Sequence, residues 1–258
     1  MEQCLNNWAA FPTIFRGEVK RFLSIWLETL VPSAISLTLY LIIFGNLIGD
    51  RVGSMRGISY LEFIVPGLIM LSVIMSAYEN VTFSLYMAKF EHCIEEMLIA
   101  PIPVYVMLAG YIAGGIARGL IVGLMALAIC AVFGSIKVAS PAIVLLTLLM
   151  ASAIFSMAGF INALFANNFD DVSIIPTFVL TPLIYLGGVF YTIEMLPDFW
   201  RHLSLLNPIL YIISAARYGF TGIIEVNLGL AFAMMSSFML LFFCACLWLL
   251  KRGVGLRS

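Results

Sequence analysis

Long runs without any charged residue constrain this chain more than any other feature. A transmembrane helix needs about 20 consecutive, mainly apolar residues. Only 10% of the residues are charged and 63% are hydrophobic, whereas a soluble domain carries about 25% charged residues. Lipid is therefore the solvent for most of this protein. The uncharged runs cover 29–49, 63–78, 97–117, 119–136, 138–169, 172–193, 203–216 and 226–250.

These runs predict six membrane spans in one domain covering 1–258. The run 63–78 reaches span length if Glu79 is tolerated inside the helix. The two runs beside Arg118 join into one helix because no turn signal lies near it, whereas Pro101 and Pro103 precede it, where proline favours a helix boundary. The spans are predicted at about 29–49, 62–85, 104–133, 141–166, 172–191 and 228–250.

The run 203–216 determines whether there is a seventh span. It is short and is interrupted by Asn207-Pro208, and runs of about 10–14 apolar residues are more often re-entrant or interfacial. We therefore predict a structured hairpin over 191–227 that dips toward the membrane without crossing it; a seventh span is the alternative. The predicted fold is an all-α polytopic membrane protein of six transmembrane helices with an extracytoplasmic re-entrant hairpin before the last span.

The orientation follows from lysine and arginine, which are enriched in cytoplasmic loops. Six spans place both termini on one side, and the two terminal segments carry most of the basic residues of that side. Both termini are therefore predicted to be cytoplasmic. That side carries Arg16, Lys20, Arg21, Lys89, Lys251, Arg252 and Arg257, and the other carries Arg51, Arg56, Lys137, Arg201 and Arg217.

A helix over about 8–26 precedes the first span. Its apolar residues recur at helical spacing with basic residues off that row, which predicts an amphipathic helix in the headgroup plane. A simple membrane anchor is the alternative. The apolar row is Phe11, Phe15, Val19, Phe22 and Trp26, and the basic residues are Arg16, Lys20 and Arg21.

Motifs that carry chemistry in enzymes are missing from the sequence. It contains no GxxxxGK[ST] phosphate loop, no HExxH and no GxSxG. The net charge of -1 excludes a basic nucleic-acid surface, and the cysteines in apolar runs are interpreted as small hydrophobic residues. We predict no catalytic residue, no metal site and no cofactor on this chain.

Two ionisable residues, Glu79 and Arg118, lie inside predicted spans. Each costs about 2.5–3.5 kcal/mol at a helix centre by insertion scales, so each is expected to face protein or water. One interpretation is a substrate or proton relay. The other is structural, with Glu79 near the cytoplasmic end of its span and Arg118 paired with a neighbouring helix.

The third span contains glycines four residues apart, the spacing that lets helix backbones approach closely. This pattern predicts tight helix packing, either within the subunit or at a dimer seam. The glycines are Gly110, Gly114, Gly115, Gly119 and Gly123.

The segment after the second span, 89–101, is polar on one side and predicted to be cytoplasmic. Its glutamates beside apolar residues fit docking into a groove of a soluble partner; a solvated loop is the alternative. The pair Asp170-Asp171 precedes the fifth span, where acidic residues cap a helix.

One long motif resembles a known family. The segment from Phe169 to Arg217 reads FDDVSIIPTFVLTPLIYLGGVFYTIEMLPDFWRHLSLLNPILYIISAAR, and YLIIFG at 40–45, FIVPG at 63–67 and EEMLIAP at 95–101 also match. This resembles the ABC-2 type permease family, especially its short bacterial YadH-like branch. Thr192 departs from the pattern, since many members have proline there. The matching positions are Phe169, Asp170, Asp171, Pro182, Gly187, Gly188, Phe190, Pro197, Trp200, Asn207, Pro208 and Arg217.

The resemblance implies a bacterial inner-membrane permease that works as a dimer with a separately encoded ATPase, which binds ATP and magnesium. It also implies a cytoplasmic coupling helix within 89–100 and an outer helical hairpin from Leu196 to about Gly222. The residues expected to contact the ATPase are Lys89, Glu91, Glu95, Glu96, Met97 and Leu98.

The expected function is therefore export of an amphiphilic, lipid-linked or drug-like substrate, because few ionisable residues lie at membrane depth. One rival is a secondary transporter driven by an ion gradient through Glu79 and Arg118. Another is a membrane scaffold or an enzyme whose substrate groups come from a partner.

Overall fold

Six helices of the computed structural model are long and apolar enough to cross a membrane. The structure describes residues 2–49, 53–94, 102–133 and 137–255, without the side chains of 2–9 and 46–48. The prediction of six spans is confirmed, with somewhat shifted ends. The spans are Trp26–Gly45, Tyr60–Phe90, Val104–Phe133, Pro141–Phe165, Phe169–Leu186 and Leu228–Arg252.

The described elements follow one another as helices with one small β-hairpin. The helices are α1 (Glu2–Ser24), α2 (Trp26–Thr29), α3 (Val31–Tyr40), α4 (Tyr60–Phe90), α5 (Val104–Phe133), α6 (Pro141–Phe165), α7 (Phe169–Ile175), α8 (Thr181–Leu186), α9 (Asp198–Leu205), α10 (Pro208–Thr221) and α11 (Leu228–Arg252). The strands are β1 (Ser54–Met55) and β2 (Ile58–Ser59), π-helical segments cover Leu41–Ile48 and Pro176–Leu180, and a 3-10 turn covers Ile193–Met195.

Helices α4 and α6 form the centre of the bundle. Phe63, Leu68 and Ile74 of α4 are fully buried, as are Ile154 and Phe160 of α6. Helix α4 has 31 residues and α5 has 30, so each is about 45 Å long at 1.5 Å per residue. Because a hydrocarbon core is about 30 Å thick, both helices are long enough to extend beyond it.

Spans one and five are irregular, and proline explains the breaks. Pro32 has no N–H to donate to Glu28, and the helix is interrupted at Leu30 between α2 and α3. In the fifth span Pro176 opens a π-helical segment, and Thr181 Oγ1 donates to the Pro176 carbonyl oxygen over 2.8 Å. These two spans therefore differ from the continuous helices α4, α5, α6 and α11.

Two hairpins lie at the same end of the bundle, which we call the hairpin end. Strands β1 and β2 pair antiparallel around Arg56 and Gly57, whose φ angles are +49° and +82°. Helices α9 and α10 form the second hairpin. We call the opposite end, where α4 and α11 finish, the terminal end.

The corner between α9 and α10 is built by Asn207-Pro208. Asn207 Oδ1 accepts from the N–H of Ile209 over 3.0 Å, and its Nδ2 donates to the Leu183 carbonyl oxygen over 2.6 Å. Pro208 occupies the first helical position, where a missing N–H has no consequence. Helix α10 has 14 residues, about 21 Å at 1.5 Å per residue, which is too short to cross a bilayer.

Candidate functional site

A polar cavity of about 290 Å³ lies between spans one, two, three and five. Its wall includes Arg21, Glu28, Glu79 and Arg118, together with hydroxyl groups such as Thr29. Arg118 lies 14 residues into α5, or about 21 Å along a 45 Å helix, so it is near the middle. This cavity collects most of the charge that the sequence places at membrane depth.

Arg118 and Glu79 face each other across this cavity at a loose distance. Arg118 Nη2 is 3.9 Å from Glu79 Oε2 and 3.5 Å from the Thr29 carbonyl oxygen. The Arg118 side chain is 9% exposed, whereas that of Glu79 is 49% exposed. Arg118 Nε is buried with no hydrogen-bond partner in the described part of the chain. Arg118 therefore contacts Glu79 on α4, a neighbouring helix, and polar groups of both residues remain available to a ligand.

Helix α1 attaches to the bundle through a buried carboxylate beside this cavity. Glu18 Oε2 accepts from Arg21 Nη2 over 2.9 Å and from Asn80 Nδ2 over 3.4 Å, and Ser84 donates to Glu18 Oε1. Arg21 also donates to the Asn80 carbonyl oxygen over 3.0 Å. The sequence placed Arg21 on an exposed basic face, but the carboxylate of Glu18 one turn earlier draws it inward.

The face of α1 that packs on the bundle also differs from the predicted apolar row. Glu18 and Phe22 are buried, whereas Phe11, Phe15 and Val19 are only half-buried and Trp26 is exposed. A polar residue takes the central position because Asn80, Ser84 and Arg21 satisfy its carboxylate. Sequence periodicity alone had no means of identifying these partners.

The five glycines of α5 lie in contacts within this chain. Cβ atoms added at Gly110 and Gly114 would lie 2.6 Å from Cγ2 of Ile14 and 2.6 Å from Cβ of Glu18, so α1 packs directly on the α5 backbone. The remaining three face α4 and α6. Gly115 meets Ser156 and Val81, Gly119 meets Ser152 and Ala77, and Gly123 meets Val73 and Leu148.

Lys89 connects the terminal end of α4 to the end of α6. Its Nζ donates to the carbonyl oxygens of Ala163, Leu164 and Ala166 over 3.1, 3.0 and 3.0 Å. Cations are favoured at helix C-termini, where carbonyl groups lack intrahelical partners. The ammonium of Lys89 is thus occupied within the subunit.

Phe169, the first residue of the fifth span, packs against the same end of α4. Its ring centroid lies 4.9 Å from that of Tyr86, 5.9 Å from Phe90 and 6.2 Å from Phe83. The corner between α6 and α7 is therefore attached to α4 by an ionic cap and by an aromatic cluster. Of the other predicted coupling residues, Glu91 is exposed, and Glu95, Glu96, Met97 and Leu98 lie outside the described residues.

The acidic pair at the start of α7 is placed as a cap. Asp171 Oδ2 accepts from the N–H groups of Asn167 and Asn168 over 2.9 and 3.1 Å, and Asp170 is exposed. The reciprocal arrangement of Asn168 and Asp171 is a capping box. It fixes the direction in which the fifth span leaves the terminal end.

At the hairpin end, the Arg217 side chain contacts residues from two of the segments that match the family. Its side chain is 1% exposed and pairs with Glu225, which is 5% exposed. Nη2 donates to the Gly188 carbonyl oxygen over 2.8 Å and Nε to that of Phe63 over 3.2 Å. The guanidinium carbon also lies 3.8 Å from the centroid of the Phe63 ring.

Other motif residues surround this junction. Gly188 has a φ of +77°, a backbone conformation that glycine adopts readily. The Phe190 ring centroid is 4.7 Å from that of Phe44, and the Phe190 carbonyl oxygen accepts from Tyr60 Oη over 3.2 Å. Pro197 precedes α9 as its N-cap, Pro182 is the second residue of α8, Gly187 ends α8, and Trp200 is half-exposed beside Phe199.

Comparison with known proteins matches this sequence to one family. The family model described as "ABC-2 type transporter" matches residues 9–221. The chain belongs to the ABC-2 type transporter family. Its match extends from α1 through α10 and includes the cavity, the Lys89 contact and Arg217, but not its partner Glu225.

Relatives of this ABC-2 permease agree with that assignment. It is 54% identical over 251 residues to the inner membrane transport permease YadH of Escherichia coli K12, covering 97% of this chain and 98% of the relative. It is 23% identical over 252 residues to nodulation protein J of Rhizobium meliloti strain 1021, covering 95% and 93%. Together with six apolar helices, this similarity identifies a multi-pass inner-membrane transport protein.

The family implies the membrane subunit of an ABC transporter, whose members generally work with an ATPase partner.

Sequence reasoning missed Glu18, Asn80 and Glu225 as members of polar clusters. A polar or charged residue close to an apolar stretch was the local signal, and the partners on other elements had none.

Proposed function

We propose that this chain is the permease subunit of an ABC exporter, which moves an amphiphilic, lipid-linked or drug-like substrate out across the inner membrane. A separate ATPase binds ATP and magnesium and drives the movement. The observation that carries the proposal is the polar cavity around Arg118 and Glu79. This cavity lies inside the helix bundle of a chain that belongs to a transporter family.

The cavity favours a cargo with one polar group and a large apolar part. Arg118 and Arg21 offer guanidinium groups to an anionic or hydrogen-bonding head, whereas Phe22, Ile25 and Phe83 line the remaining wall. Guanidinium groups bind phosphate and carboxylate through paired N–H donors. A small inorganic ion makes no favourable contact with so large an apolar surface.

A second copy of the chain is the proposed partner on the open side of this cavity. Glu79 is half-exposed and Glu28 is exposed, and charged side chains in a span avoid contact with lipid tails. The irregular spans one and five border the same opening. A homodimer with the two cavities facing each other encloses these groups and forms a continuous path.

The orientation that we propose has both termini and the terminal end in the cytoplasm, with the α9–α10 hairpin re-entering the membrane from the outside. The lysine and arginine distribution supports this orientation. Helix α1 then lies at the cytoplasmic interface, where its half-buried residues Phe15 and Val19 contact lipid and Arg16 and Lys20 contact headgroups.

Coupling to the ATPase is proposed to run through residues 89–100. Displacement of this segment is transmitted to the α6–α7 corner through the hydrogen bonds of Lys89 and the ring contacts of Phe169. The fifth span borders the cavity through Val172, Ser173 and Pro176. Movement of that corner therefore changes the cavity wall, while α4 and α6 remain packed as the central pair.

An ion-gradient-driven carrier is the second candidate, because Glu79 and Arg118 form a loose pair at membrane depth. Vesicles containing the permease and its ATPase distinguish the two functions. The exporter reading requires transport that depends on ATP and persists when the proton gradient is collapsed. Transport by the isolated chain with a gradient and without ATP favours the carrier instead.

The coupling contact is tested by charge reversal. We expect Glu95→Arg combined with Glu96→Arg to weaken co-purification with the ATPase and to abolish ATP-dependent transport. Asp198→Arg, an exposed charge reversal at the hairpin end, serves as the control and is expected to preserve both. Unchanged complex formation and transport in the double variant contradict the proposed contact.

A further inference from the structure

A second cavity of about 290 Å³ lies at the hairpin end and is separate from the polar cavity. It is enclosed by the π-helical segment of span one, strand β2, the first turns of α4 and the ends of α5 and α10. Its wall is mainly apolar, with Leu41, Val65, Cys130 and Phe220 all buried, and it also includes polar side chains. Ligand pockets span about 300–1,000 Å³, so its volume is at the lower limit for an organic ligand.

Three of the polar residues at this cavity are already used by the chain itself. Ser59 Oγ accepts from the N–H of Glu62 over 3.2 Å, and Glu62 Oε2 accepts from the N–H of Ser59 over 3.4 Å, as a capping box. Thr221 Oγ1 donates to the Arg217 carbonyl oxygen over 2.8 Å and accepts from the N–H of Ile223 over 3.2 Å. These groups are occupied in shaping the helix ends.

Lys137, the fourth polar residue at this cavity, is not used to shape a helix end. It lies at the cavity between α5 and α6 and is exposed. Across the ranges that the structure describes, its ammonium has no hydrogen bond or ion pair. A compact cation therefore lies next to a mainly apolar cavity without forming an ion pair in the described part of the chain.

Hydrocarbon is the material that fits the interior. The apolar part of the wall offers water few hydrogen-bond partners. Val132 on α5 is 84% exposed, so an apolar surface beside the cavity is open to the acyl chains of a bilayer. An acyl chain in the cavity leaves its headgroup beside Lys137.

We propose that this cavity binds one acyl chain of an anionic phospholipid, with the phosphate on the Lys137 ammonium. Lysine binds phosphate as a point charge, and a basic residue near the membrane surface favours an anionic lipid. The carboxylate of Glu62 at the same cavity opposes the phosphate and limits the affinity. The site is independent of the proposed transport function, because the lipid binds the chain alone.

The test uses the full chain in phosphatidylcholine nanodiscs that contain a trace of phosphatidylglycerol with a photoreactive group at the end of one acyl chain. After illumination, labelled residues are mapped by mass spectrometry. We expect labels on Cys130, Phe133 and Phe220, and about fivefold less labelling in Lys137→Gln, since one basic residue near the surface contributes that factor. Glu62→Gln is expected to increase labelling, because glutamine preserves the capping box and removes the opposing charge.

Lys251→Gln at the terminal end is the control and leaves the labelling of these three residues unchanged. The same photoreactive chain on phosphatidylcholine is expected to label them less, and this difference is expected to vanish in Lys137→Gln. Absence of label from all three residues with both lipids overturns the proposal. Equal labelling by both lipids in the unmodified chain overturns the role of Lys137.

Discussion

Arg217 Nη2 donates to the carbonyl oxygen of Gly188 over 2.8 Å, and this contact joins two parts of the motif that lie 29 residues apart. The same guanidinium pairs with Glu225 and donates to Phe63. One buried cation thus holds the end of the fifth span, the first turns of α4 and the segment before α11 together. Residues of the motif therefore stabilise the hairpin end of the bundle through these contacts.

Removal of the Glu225 carboxylate is expected to destabilise the protein strongly. Glu225→Ala leaves Arg217 buried without its counter-charge, and breaking a buried pair in this way costs about 3–5 kcal/mol. A large fall in the melting temperature of the purified permease tests this. Glu194→Ala is the control, since its pair with Arg56 is solvent-accessible and is worth about 0–1 kcal/mol. Equal melting temperatures for the two variants contradict the role assigned to Arg217.

An added methyl group at Gly115 is expected to disturb the packing of α5. It meets Ser156 Oγ and lies 2.8 Å from Val81 Cγ2, and overpacking of this kind costs about 1–3 kcal/mol. Gly115→Ala therefore lowers the melting temperature in detergent. Gly17→Ala on α1 is the matched control, because nothing lies within 4 Å of the added Cβ and alanine is the better helix former. If both substitutions raise stability, the close approach of α5 to α6 is wrong.

Lys89→Met is expected to separate complex formation from transport. The variant removes the cation that caps α6 at Ala163, Leu164 and Ala166, and a hydrogen bond to a charged group contributes about 1.5–3 kcal/mol. We expect normal co-purification with the ATPase, reduced ATP-dependent transport and faster hydrogen exchange at the end of α6. Lys20→Met, an exposed residue of α1, is the control. Loss of the complex with unchanged exchange at α6 assigns Lys89 to the ATPase surface instead.

Glu18→Ala is expected to loosen α1 from the bundle. It leaves Arg21, Asn80 and Ser84 without their common acceptor, and unsatisfied buried groups cost about 1–3 kcal/mol each. Hydrogen exchange of α1 is expected to accelerate. Arg16→Ala on the exposed face provides the comparison, and similar protection of α1 in both variants argues against the polar anchor.

Much of the architecture was predictable because single segments determine it. Long uncharged runs identified the six spans, Asn207-Pro208 marked a corner between two short helices, and Asp171 acts as the expected helix cap. Each of these features depends on residues close together in the chain. The physical signal is local hydrophobicity or local turn chemistry.

The polar clusters were not predictable as a whole, because several of their partners lie far apart in sequence. Glu18 and Asn80 are separated by 62 residues, and Arg217 and Phe63 by 154. A charged residue inside an apolar stretch gives no indication of which helix supplies its partner. The inward turn of Arg21 depends on Asn80 of α4 as well as on Glu18 of α1.

The two π-helical stretches, Leu41–Ile48 and Pro176–Leu180, have a geometric consequence for the walls that they build. A wide turn accommodates one residue more than an α-turn, and one residue corresponds to a rotation of about 100° around the helix axis. Conversion of one such turn to ordinary α-helix swings every side chain beyond it to a new face, with no break in the chain. The residues that these segments contribute to the two cavities are therefore exchangeable by rotation alone, while the straight helices keep their register.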